Sequence, residues 1–212
     1  MRPIIGYYGF WVYLTYLSLI SAVVGIFFAF DLNIKYALIC LMISGIFDTL
    51  DGRVANLKQR TEREKSYGIQ IDAFADIISF GALPAAIGYS IGQSYDSLGP
   101  VSVAIFSLYV LAALIRLAYF NVIEIELQGK NEKRTYYEGL PVTIVALIIP
   151  VVYSICNMFD IPLFQAYNAL LIILAAAFVM KVKIYKPRGV WKVILCLIGV
   201  PILVYILAAG VV

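Results

Sequence analysis

The sequence predicts an all-α, polytopic membrane bundle, and three observations carry that prediction. Of 212 residues, 63% are hydrophobic and 14% charged, far from the roughly 45–50% apolar and 25% charged of a soluble domain; the mean hydropathy is +0.93. The apolar residues gather into seven runs, at about 10–30, 34–50, 69–92, 99–122, 140–158, 163–181 and 190–211, each near the roughly 17–25 residues that a helix needs to cross a bilayer. The polar residues concentrate in alternate connections, so that the basic ones fall on one side.

Taken in order, the first run follows Met1-Arg2-Pro3 and is too long for a signal core, with no small-residue cleavage site, so it is read as a span. A short link, 31–33, leads to the second run, which carries Lys35 at one end and Asp48 and Asp51 at the other. Segment 51–68 is polar, with 57–67 expected as loop, and the third run opens on Asp72 and Asp76. The fourth run contains Arg116, the fifth starts beside Gly139 and Pro141, and the sixth and seventh are uniformly apolar. If all seven cross alternately, every Lys and Arg except Lys35 and Arg116 lies on the side of the amino terminus and of segments 51–68, 123–139 and 181–189. The positive-inside rule makes that side cytoplasmic and the carboxyl terminus external. No repeat or low-complexity tract divides the chain, so 1–212 is read as a single transmembrane domain.

Composition also excludes chemistry. There is no histidine, which removes imidazole bases, Ser-His triads and His-ligated zinc. Cys40, Cys156 and Cys196 lie far apart in apolar runs without a CxxC pair and read as small buried residues. The net charge of +3 and the scarcity of polar surface speak against a nucleic-acid partner.

Carboxylates inside membrane spans cost about 2.5–3.5 kcal/mol each on insertion scales, which makes them functional candidates by default. Asp48 and Asp51 are spaced i,i+3 and Asp72 and Asp76 i,i+4, so each pair projects from one helix face. Because the two spans are neighbours joined at this end, the four acids are expected to converge just inside the cytoplasmic surface. Like-charge repulsion would protonate or separate them without a bound cation. All-oxygen ligation favours Mg²⁺ or Mn²⁺, and four carboxylates suit two ions better than one. Since Mg²⁺ commonly completes its shell with substrate phosphates, the site hints at a lipid-linked phosphate substrate.

The run Asp48-Thr49-Leu50-Asp51-Gly52-Arg53-Val54-Ala55, followed by Gly68 and by Asp72 and Asp76, resembles the signature of the CDP-alcohol phosphotransferases, D-x-x-D-G-x-x-A-R and then G-x-x-x-D-x-x-x-D. Asn56 stands where that signature has Arg, and eleven residues separate it from Gly68 where eight are usual. Arg53, Lys58 or Arg60 could supply the missing cation. Three further segments, Ser79-Phe80-Gly81 with Pro84, Arg116 through Asn121, and Tyr137-Glu138-Gly139-Leu140-Pro141, resemble the phosphatidylserine synthase branch, with Tyr137 in place of Phe.

The resemblance implies a six-helix core, so the seventh run is an additional carboxyl-terminal span or one run does not cross fully. It implies a homodimer, CDP-lipid and L-serine as substrates, transfer of a phosphatidyl or archaetidyl group with release of CMP, and metal ions held by Asp48, Asp51, Asp72 and Asp76, with Asp76 also the catalytic base. Thr15, Ser18, Gly52, Arg53, Ala55 and Gly68 are candidates for the nucleotide site, and Ser79, Arg116 and Asn121 for the acceptor. Arg116 lies six residues, or about 9 Å, from the expected end of its span; it could clamp a serine carboxylate, hold a phosphate or pair with an Asp. Asn121 could equally cap its helix. Glycerol phosphate or inositol phosphate as acceptor, and a divalent-cation transporter, are the competing readings.

Overall fold

A computed structural model describes residues 5–55, 60–130, 136–181, 183–185, 199 and 201–208, with only the backbone considered at 52–55, 127–130, 136–138 and 183–185. Helix α1 spans Phe10–Phe30 and α2 Ile34–Ala55. The link between them reverses the chain in three residues: Leu32 adopts φ 59°, and the amides of Asp31 and Asn33 donate to the carbonyls of Phe27 and Phe28, so the last turn of α1 is closed by its own backbone. The resulting antiparallel pair packs closely. A Cβ on Gly25 would stand 2.8 Å from Cys40 Cβ. Ser18 Oγ donates to Ser44 O at 3.1 Å while Ser44 Oγ donates to Ser18 O at 2.9 Å, a reciprocal clasp that satisfies both buried hydroxyls.

Helix α3, Glu62–Asp76, begins earlier than the apolar pattern suggests. Residues 62–67 are helical where a loop was expected, and the cause is local. Thr61 is a capping-box N-cap: its hydroxyl accepts from the Glu64 amide at 3.3 Å, and the Thr61 amide donates to Glu64 Oε2 at 2.9 Å. A π-helical turn, Ile77–Ala82, follows without interruption and leads into α4, Leu83–Ser94. Pro84 has no amide to donate to Phe80 O; Tyr109 Oη donates there instead, at 2.7 Å, and Tyr167 Oη donates to Pro84 O at 2.8 Å. Both tyrosines are fully buried. Tyr109→Phe should therefore lower stability by about 1–3 kcal/mol, measured as thermal unfolding in detergent, whereas a loss of function without loss of stability would contradict this role.

Helix α5, Pro100–Lys130, is followed by strand β1, Tyr136–Glu138, a single 3₁₀ turn at Val142–Ile144, α6 at Val145–Met158 and α7 at Leu163–Val179. Strand β2, Lys183–Tyr185, pairs antiparallel with β1, Tyr137 opposite Ile184. This short ribbon joins two segments expected to be loops; the fold remains a helical bundle. The rod formed by α3 and α4 is central: Phe80, Leu83, Ile87 and Ile91 are fully buried against Tyr109 of α5, Ile149 of α6 and Tyr167 and Leu171 of α7. Outward-facing positions are also apolar, among them Ile20, Phe27, Leu108 and Ile173, the distribution that a lipid solvent permits.

Phe10–Phe30, Glu62–Ser94 and Pro100–Glu126 are each long and apolar enough to cross a membrane, and Val142–Met158 and Leu163–Val179 are shorter apolar helices. The protein is an integral membrane protein. Most of the expected seventh span, and Cys196 with it, lies outside the described residues, while Cys40 and Cys156 are buried free thiols. Residues 201–208 are helical, and Lys35 Nζ donates to Leu207 O at 2.9 Å. Lys35 marks the end of α2 remote from Asp48.

Candidate metal centre and substrate site

Asp48 and Asp51 occupy the final turns of α2, and Asp72 and Asp76 the final turns of α3. The acids of α3 lie at the end remote from the 56–61 connection, and the packing of α3 against α2 brings them beside those of α2. Asp48, Asp72 and Asp76 each present an oxygen within 4.8 Å of the others. The Asp48 and Asp76 carboxyls touch across the two helices, as do those of Asp51 and Asp72. Asp51 and Asp76 are each only 8% exposed. The four acids expected to converge do so, and three of them form a group that could hold a metal ion. Carboxylate oxygens at this spacing are the donor set of a hard divalent cation.

Thr15 and Ser18 part company here. Both are buried on α1, and neither hydroxyl bonds back to its own helix. Thr15 Oγ1 donates to Asp51 Oδ2 at 3.1 Å and so orients a carboxylate of the cluster. Ser18 belongs to the clasp with Ser44. Gly52, Arg53 and Ala55 lie in the last turn of α2, but their side chains are outside the described residues, as are Asn56 and Lys58 altogether. Gly68 lies under a cation: a Cβ there would come 3.2 Å from Arg60 Nη1 and 3.3 Å from the Trp11 ring.

Arg116 is 5% exposed. Its Nε donates to Leu140 O at 3.3 Å and its guanidinium lies 5.4 Å from the centre of the Phe120 ring. Gly139 explains how the chain folds against it. The glycine adopts φ 80°, and a Cβ there would meet Met180 O at 3.1 Å and Arg116 Nε at 3.3 Å. A side chain at 139 is thus excluded both by backbone conformation and by space, which gives the Gly139-Leu140-Pro141 sequence a physical purpose: it sets a carbonyl on the buried guanidinium. Asn121 is half-buried and cannot cap α5, since that helix continues to Lys130. The apolar run ended near 122 while the helix did not. Ser79, one turn beyond Asp76 inside the π turn, is fully buried, and its Oγ has no hydrogen-bond partner among the described residues. Trp11 was not foreseen; nothing in its neighbourhood of the sequence signals that it packs beside α3.

Comparison with known proteins decides the family, because the CDP-alcohol phosphatidyltransferase family model matches residues 12–183, a stretch that contains all four aspartates. The chain belongs to this family. Among relatives, it is 39% identical over 120 residues to a CDP-diacylglycerol–serine O-phosphatidyltransferase of Saccharomyces cerevisiae, covering 54% of this chain and 40% of that one. It is 32% identical over 134 residues to a protein of the same name from Helicobacter pylori, covering 62% and 52%. It is 28% identical over 175 residues to an archaetidylserine synthase of Methanothermobacter thermautotrophicus, covering 82% and 68%. The chain thus spans about half the length of the first two of these relatives. In this chain the paired-aspartate signature lies where α2 and α3 pack together, and the later segments lie in and after the π turn and around Arg116.

Proposed function

We propose that the protein transfers a phosphatidyl or archaetidyl group from a CDP-lipid to the hydroxyl of L-serine, releasing CMP, as a step of phospholipid biosynthesis. The observation that carries this reading is the carboxylate group of Asp48, Asp72 and Asp76 within 4.8 Å of one another, in a chain of this family whose relatives are named for transfer to serine or for archaetidylserine synthesis.

In this reading Asp48, Asp51, Asp72 and Asp76 hold two divalent ions, Mg²⁺ or Mn²⁺. When bound, these neutralise the diphosphate and the charge that develops as the phosphorus is attacked. Thr15 fixes the Asp51 carboxylate. Asp76 accepts the proton of the serine hydroxyl as that oxygen bonds to the lipid-linked phosphorus and the bond from phosphorus to the CMP oxygen breaks; CMP leaves as an anion. Arg116, buried in α5, presents its guanidinium to the serine carboxylate, and Ser79 and Asn121 complete the acceptor side. Gly52, Arg53, Ala55 and Gly68 line the nucleotide side. The site faces the cytoplasm with the amino terminus, residues 1–212 act as one transmembrane domain, and the protein works as a homodimer.

The test is CMP release by purified protein in detergent, supplied with CDP-diacylglycerol, Mg²⁺ or Mn²⁺, and one acceptor at a time. Release that requires L-serine supports the proposal. Release with glycerol phosphate or inositol phosphate in its place would reassign the acceptor, and divalent-cation flux through liposomes without CMP release would replace the transferase reading altogether.

A further inference from the structure

The family signature places an arginine directly after the Ala55 position, where this chain has the neutral Asn56. The non-bridging oxygens of a diphosphate diester can accept from N–H donors as well as bind metal ions, and arginine is the most effective such donor because its planar fork matches phosphate geometry. The structure places another guanidinium close by. Arg60 precedes the N-cap of α3, and its Cζ lies 5.4 Å from the centre of the Trp11 ring, while its Nη1 would be only 3.2 Å from a Cβ on Gly68. A ring and a glycine position a guanidinium without neutralising it.

The location follows from helical spacing. Trp11 precedes Thr15 by four residues on α1, and Gly68 precedes Asp72 by four on α3. Thr15 bonds Asp51, so both platforms lie about one turn, roughly 6 Å, from the carboxylate cluster along their helices. Arg60 is held against α1 and α3, on the side of each from which Thr15 and Asp72 lead to the cluster. It also has only Thr61 between itself and the capped first turn of α3, so its backbone is anchored although it precedes the helix.

We infer that Arg60, stacked on Trp11 against Gly68, supplies the cationic contact to the substrate diphosphate that position 56 lacks. This rests on the transferase reading above, and the experiment separates the two. Binding of CDP in the presence of Mg²⁺ is measured by calorimetry on the detergent-solubilised protein for the wild type, Arg60→Ala, Arg60→Lys and the double variant Arg60→Ala with Asn56→Arg, together with binding of Mn²⁺ alone. The expected result is a loss of CDP affinity of about tenfold or more in Arg60→Ala, a smaller loss in Arg60→Lys, unchanged Mn²⁺ binding, and substantial recovery in the double variant. Recovery is the discriminating readout, since a purely structural contact with Trp11 would not be replaced by a guanidinium at position 56. Wild-type affinity in Arg60→Ala, or no recovery in a folded double variant, overturns the inference. If Arg60→Ala fails to fold, Arg60→Lys carries the test, and undiminished CDP affinity there counts against it. A wild-type protein that binds no CDP with Mg²⁺ would sink the transferase reading itself.

Discussion

Asp76→Asn is expected to reduce CMP release by about a thousandfold or more, because it removes the proposed proton acceptor and a charged metal ligand at once; general bases alone contribute some 10²–10⁴-fold. Asn is nearly isosteric with Asp, and Asp76 is 8% exposed at the junction of α3 with the π turn, so the helix should persist. The amide oxygen remains a weak ligand, which separates the two roles: Mn²⁺ binding should fall far less than turnover. Single-turnover CMP release with saturating L-serine provides the measurement, and full turnover in this variant would show that Asp76 is not the base.

The second large effect concerns Asp48, the only member of the three-carboxylate group that α2 contributes. Asp48→Ala leaves Asp72 and Asp76 with Asp51 as the remaining α2 carboxylate beside them. Carboxylate number tunes the affinity of an oxygen-ligand site over orders of magnitude, so Mn²⁺ affinity should fall on the order of a hundredfold, with activity partly restored at high Mn²⁺. Stability should move in the opposite direction. Without metal the wild type holds four mutually repelling acids, and removing one relieves repulsion, so the metal-free variant should melt higher than the metal-free wild type. Mn²⁺ titration followed by electron paramagnetic resonance, with thermal unfolding in chelator, measures both. Unchanged Mn²⁺ affinity would show that the cluster is not the metal site.

Local pattern in the sequence carries much of this architecture. Apolar run length places the spans, and the i,i+3 and i,i+4 spacings put each acidic pair on one helix face, while the packing of α3 on α2 makes the two faces meet. The early start of α3 was legible too: Thr61 and Glu64 form a capping box that an eye following hydropathy passes over, since residues 62–67 are polar. Other features depend on groups distant in the chain. Pro84 marks a disturbed helix, yet the disturbance is stable because Tyr109 and Tyr167 bring hydroxyls to Phe80 O and Pro84 O. Ser18 and Thr15 have similar surroundings in sequence, and only the register of α1 on α2 decides that one meets a backbone carbonyl and the other a carboxylate. The β1–β2 pairing brings together residues 136–138 and 183–185, which no local signal connects.

The π turn at Ile77–Ala82 also governs direction. Such a turn holds one more residue than the α turn it replaces, so everything before it is rotated by about 100° relative to everything after it. The stretch ending at Asp76 can thus aim carboxylates at the metal site while Leu83, Ile87 and Ile91 aim at the bundle core. Deleting a single residue between 77 and 82 would leave every side chain of α4 able to repack and yet swing Asp72 and Asp76 more than a quarter turn off target. Along this rod, residue count specifies the aim of the acids as surely as residue identity specifies their charge.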